Sequence, residues 1–120
     1  MIKLESLKKS SHFEMILKNR VINNNIYSIY CKKNFIDKNK NNKKLYISFV
    51  LKKKIGNAVK RNRIRRKMRS IVQKLLKIDS IINLNNAYVI FGKEKVYREY
   101  HNSLFEKMKK SFKSIKDINL

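Results

Sequence analysis

A chain of 120 residues can bury one modest core, and its size argues against two independent domains. Its 31 Lys and Arg against 8 Asp and Glu give a formal net charge of +23, while 42% hydrophobic residues, with six Tyr and six Phe, exclude wholesale disorder. That much positive charge repels itself unless a polyanion neutralises it. A nucleic acid is preferred to an acidic membrane, because the basic residues run through almost every segment instead of one helix or tail. Cys31 is the single cysteine, which excludes a disulfide framework and a structural zinc site. With no apolar run of signal-peptide or membrane-span length, a soluble, cytoplasmic protein is expected.

In chain order, Ser11 and Glu14 have capping-box spacing, and Phe13, Ile16, Leu17 and Val21 recur at helical intervals, predicting a first helix over about residues 11 to 20. "IYSIYCKK" (26 to 33) is β-branched and aromatic, with Ile26, Ser28 and Tyr30 alternating against Tyr27, Ile29 and Cys31. "KLYISFVLK" (44 to 52) repeats the pattern, with Leu45, Ile47, Phe49 and Leu51 on one face. The Asn- and Lys-rich segment between them reads as a mobile hairpin loop, which makes the two strands antiparallel neighbours. Gly56-Asn57 supplies a turn and an N-cap, and Ile64, Met68, Ile71, Val72 and Leu75 form one stripe of a helix ending near residue 77. "AYVIFGK" (87 to 93) is a further strand. Tyr97, Tyr100, Leu104, Met108, Phe112 and Ile115, three or four apart, predict a closing amphipathic helix in which Tyr97, Leu104 and Met108 are core.

Outside its apolar stripe the middle helix is almost entirely cationic, with seven basic residues from 60 to 69. A solvated face is the ordinary fate of a charge run, but this density repels strongly without a polyanion. The local switch from Lys to Arg is informative, since guanidinium forks bind phosphate in bidentate fashion and stack on bases.

"KKIGNAVKRNRIRRKMR" (53 to 69) resembles the signature of the protein subunit of bacterial ribonuclease P. "LKKSSHFEMIL" (7 to 17) resembles that family's opening helix, "IYSIY" and "YISFVL" its next strands, and "AYVIFGK" its later strand, in the right order over nearly the whole chain. The resemblance implies one α+β domain over residues 1 to 120. Its elements would run α-β-β-β-α-β-α, with a mixed sheet packed against helices and a left-handed βαβ crossover. No separate third strand is evident beside the first two unless "KKKIG" or the loop provides it. The resemblance further implies a holoenzyme that removes the 5′ leader of precursor transfer RNA. Its catalytic RNA subunit carries the site and, with the substrate, holds the Mg²⁺.

By the same resemblance Lys53, Lys54, Asn57, Arg61, Asn62, Arg63, Arg65, Arg66 and Arg69 bind the RNA subunit, and Phe13, Leu17 and Tyr30 receive the leader. No catalytic or metal-ligating side chain is implied, nor an obligate protein partner. Leu17 stands where some members have a second Phe, so a weaker base-stacking platform is expected, while Ser48 and Lys52 stand where Gly and a small hydroxyl residue are common, so a narrower or more basic leader channel is expected. The residues by themselves agree with this division of labour, because the eight acids are scattered along the chain and metal-assisted cleavage by a protein needs clustered carboxylates. His12 and His101 are the only obvious pair for a metal-free ribonuclease. A ribosomal or other structural RNA-binding protein is the alternative.

Overall fold

The computed structural model describes residues 2–35 and 44–118. Its elements are β1 (Lys3–Glu5), α1 (Ser10–Leu17), β2 (Arg20–Asn23), β3 (Tyr27–Lys32), β4 (Lys44–Val50), a 3₁₀ turn (Lys53–Ile55), α2 (Ala58–Leu75), β5 (Ala87–Gly92), α3 (Lys95–Arg98) and α4 (His101–Ile115). The strands make one mixed sheet in the order β1-β4-β5-β3-β2. β1 is parallel to β4 and β4 to β5, while β5 with β3 and β3 with β2 are antiparallel.

The expected α-β-β-β-α-β-α order holds, but its third strand lies elsewhere. It is β2, ahead of β3, and Lys53–Ile55 is a 3₁₀ turn. Arg20, at the end of the predicted first helix, and Val21, counted in its spacing, belong instead to β2, because Asn24 Oδ1 accepts hydrogen bonds from Ile26 N and Tyr27 N at 2.8 and 2.9 Å, closing a tight turn between β2 and β3. The capping box does not form either: α1 begins at Ser10 with Lys9 at the N-cap and no side-chain cap, so Ser11 is already inside the helix. β3 and β4 are not neighbours, since β5 lies between them with Ile90 paired to Ile29 on one side and Phe49 on the other. The segment 36–43 of the expected hairpin loop lies outside the described residues.

β5 is the middle strand and reads as a nearly continuous apolar run, as a strand covered on both faces must. One sheet face buries Tyr27, Ile29, Cys31, Leu45, Ile47, Tyr88 and Ile90. Against it pack the whole predicted stripe of α2, Ile64, Met68, Ile71, Val72 and Leu75, together with Leu104, Met108, Phe112 and Ile115 of α4. Each such side chain contributes on the order of 1.5–3 kcal/mol by leaving water. The Tyr27 hydroxyl, buried with it, bonds to Ser111 Oγ at 2.6 Å. The other face carries a smaller core of Leu7, Ile16, Phe35, Ala87 and Val89, with Phe13, Tyr30 and Phe91 half-buried at its margin. Among the described residues only the eight of α1 cover that face as a helix, and a cleft lies on the sheet beyond its end.

Candidate nucleic-acid interface

Asn57 caps α2 as its sequence position implies: its Oδ1 accepts from Lys60 N at 2.9 Å, and its carbonyl accepts from Arg61 N at 3.0 Å. Just before it, a Cβ on Gly56 would stand 2.7 Å from Lys60 Cδ, so the missing side chain lets the first helical turn close over the entering chain. Arg61 reaches back along the apolar boundary and donates from Nη1 to the Gly56 carbonyl at 2.7 Å, locking the turn onto the helix. Arg65, one turn on, donates to Asn62 Oδ1 at 2.9 Å. Asn57, Asn62, Arg63, Arg66 and Arg69 are exposed along α2, and Lys53 and Lys54 are exposed on the 3₁₀ turn. Among the described residues no carboxylate lies within ion-pairing distance of Lys53, Lys54, Arg61, Arg63, Arg65, Arg66 or Arg69.

Lys67 belongs to the same basic run but not to its outer surface. Its ammonium donates to the Val96 carbonyl at 2.8 Å and to the Glu99 carbonyl, capping the end of α3. Burial holds this amine below the ordinary lysine range, partly offset by the Glu99 carboxylate. Glu99 is itself held below the usual carboxylate range by hydrogen bonds from Ser103 Oγ at 2.6 Å and Lys107 Nζ at 2.9 Å.

Beyond the end of α1 the open sheet face forms a cleft of about 840 Å³. Leu17 borders it at the end of α1, Tyr30 and Ser28 form part of its floor with Phe91, and Arg20, Lys52, Lys54, Lys93 and the carboxylate of Glu94 also line it. The Tyr30 and Phe91 rings meet at 65°, with centroids 5.5 Å apart. Phe13 is not a lining residue; it packs half-buried in the smaller core, one turn earlier on α1.

Ser48 does not line the cleft either. It is buried, with its Oγ accepting from Leu7 N at 3.0 Å, so it ties down the segment that leads into α1. Lys52 does line it and places a cation at its edge. Arg20, Lys93 and Phe91 escape a reading of the sequence, because Arg20 starts a strand too short for alternation and the other two depend on β5 lying beside β3.

His12 rests edge-on against Phe35 at 5.0 Å, on the α1 side of the sheet. His101 begins α4 on the other side, where burial and then Lys74 and Lys67 hold its imidazole below the ordinary range. A sheet separates the two imidazoles, so they cannot act as an acid–base pair on one phosphodiester. Among the described residues no three His, Cys, Asp or Glu side chains gather as metal ligands, and no helix is long and apolar enough to cross a membrane.

Comparison with known proteins agrees with this architecture. The Ribonuclease P family model matches residues 1–116. The ribonuclease P protein components of Mesomycoplasma hyopneumoniae strains 7448 and J are each 29% identical over 118 residues, covering 97% of this chain and 96% of theirs. The RNase P protein of Staphylococcus aureus aligns with a TM-score of 0.70 at 23% identity, over 95% of this chain and 97% of that one. That of Thermotoga maritima gives 0.70 at 23%, over 92% and 96%. These structures share the fold, and the family match spans nearly every element described above, so the chain belongs to the ribonuclease P protein family.

Proposed function

We propose that this chain is the protein component of a cytoplasmic ribonucleoprotein that removes the 5′ leader from precursor transfer RNA, with the RNA subunit supplying catalysis. The observation that carries the reading is α2: a helix pinned by its apolar stripe, whose outward guanidinium groups have no carboxylate partner among the described residues. Such a surface is complete only with phosphate. Lys53, Lys54, Asn57, Asn62, Arg63, Arg65, Arg66 and Arg69 would take the RNA subunit, with Arg61 holding the turn in place as well as adding charge. The cleft beside the basic turn would take the single-stranded leader, with Tyr30 offering a ring to a base and Leu17 an apolar edge. Phe13 acts by seating α1, and so Leu17, on the sheet. Arg20 and Lys52 meet the leader backbone.

The described carboxylates do not fit a Mg²⁺ site, so the Mg²⁺ that assists hydrolysis is assigned to the RNA subunit and substrate. The side chains bind, orient and neutralise phosphate charge.

The test is cleavage of an end-labelled precursor transfer RNA at low Mg²⁺ by a bacterial ribonuclease P RNA alone, by this protein alone, and by the two together. Correct 5′ processing in the mixture only is expected. Cleavage by the protein alone would place chemistry on its side chains. No stimulation by folded, RNA-binding protein would favour a structural RNA-binding role.

A further inference from the structure

Helical spacing groups Tyr97 and Tyr100 with Leu104 and Met108 as core residues, yet only the last two are buried. Tyr97 is 40% exposed and Tyr100 is 85% exposed. The helical phase breaks at residues 99 and 100, where the chain turns extended between α3 and α4, and both phenols fall outside the core. Lys60 Nζ lies over the Tyr97 ring, 4.9 Å from its centroid. Together they line a depression of about 410 Å³ with Gly56, Asn57, Val59 and Arg63. Val59, on its rim, is 62% exposed.

The surroundings indicate what would cover this patch. An aromatic ring beside Lys and Arg suits a nucleotide, whose base stacks while its phosphates meet the cations. A protein partner would instead have to desolvate Lys60, Arg63 and Arg98 against one nearby carboxylate, Glu94, which already pairs with Lys60 at 3.7 Å and Arg98 at 3.3 Å. The position is equally suggestive. Lys54 and Ile55 line the leader cleft, whereas Gly56 and Asn57, the next two residues, line the depression.

We propose that the depression is a second nucleotide-binding site of the chain, in which Tyr97 stacks on an unpaired RNA base and Lys60 and Arg63 take the adjacent phosphates. This rests on the RNA-binding function proposed above and extends the contact across the basic turn to the α3 side of α2.

The chain contains no Trp, so Tyr97→Trp places a single indole in the site. The full-length variant is titrated first with a bacterial ribonuclease P RNA, then with leader-bearing precursor transfer RNA. Quenching of indole emission by the ribonuclease P RNA is expected, since Asn57 and Arg63 of the same depression are assigned to it, and quenching by the precursor alone would overturn that assignment. Tyr97→Leu should weaken that binding about fivefold or more with an unchanged salt slope, because a ring is lost and no charge. Emission unaltered while RNA binds, with Tyr97→Leu at wild-type affinity, overturns the site. Quenching that grows with protein concentration without RNA overturns it in favour of a second copy of the chain. Wild-type protein that binds neither RNA removes the underlying function as well, and this is seen before any tyrosine variant is compared.

Discussion

Arg65 and Lys67 stand two residues apart on α2 with the same charge, and the structure gives them different work. Arg65 is half-buried on the flank away from α3, hydrogen-bonded among the described residues to Asn62 alone. Lys67 points the other way, into the carbonyls of Val96 and Glu99. Arg65→Ala should therefore lower the slope of log affinity against log salt by about one and leave stability nearly unchanged. Lys67→Ala should leave the slope alone and cost on the order of 1–2 kcal/mol of stability, because two backbone acceptors lose their donor. Salt titrations of RNA binding and urea unfolding of both variants check the pair. Nothing in the spelling "RIRRKMR" separates these roles; the partner carbonyls come from α3, about thirty residues later.

At the scale of elements, α2 was the most legible, since eighteen residues give periodicity, cap and charge room to agree. Its cap also allows function and stability to be separated. Asn57→Ala should destabilise the protein by about 1 kcal/mol by removing the acceptor for Lys60 N. Asn57→Asp keeps that acceptor and should restore stability, while its carboxylate repels phosphate and weakens RNA binding. Recovery of both properties by Asp would show that the Asn57 side chain meets no phosphate.

α1 was legible in kind and misplaced in extent, because a Ser with Glu three residues on is also compatible with a position inside the first turn. The three-residue β1 and four-residue β2 carried no usable alternation. β2 depends on the Asn24 turn and on β3 beside it.

At the scale of the molecule, charge and burial give opposite responses to solution conditions. With a net charge of +23, a bound polyanion such as RNA should stabilise the fold by mass action and raise the unfolding temperature as it is added. Burial sets the alkaline limit. The Cys31 thiol is pushed up to about 12 by burial, and the Tyr88 and Tyr27 phenols are also raised, again chiefly by burial. In the unfolded chain the thiol ionises near about 8.5. Between those values the unfolded state holds fewer protons than the folded state, so stability falls as pH rises, by up to about 1.4 kcal/mol per pH unit for each group. Urea midpoints should start to drop near pH 9, and Cys31→Ala should move the onset towards pH 10, where the tyrosines take over. A midpoint that stays flat to pH 11 would mean that the thiol ionises within the fold.

By itself the sequence determined the α2 stripe and its cap, the facing of β3 and β4, the apolar character of β5 and the excess positive charge. All of these are set by residues close together in the chain. Only the tertiary structure decided that β5 separates β3 from β4, because alternation tells a strand which side is apolar and not which strand lies beside it. That insertion brings Phe91 and Lys93 into the same cleft as Tyr30, Leu17 and Lys52. It was likewise the break between α3 and α4 that turned Tyr97 and Tyr100 from expected core into exposed surface, since helical spacing predicts a common face only while the helix is unbroken.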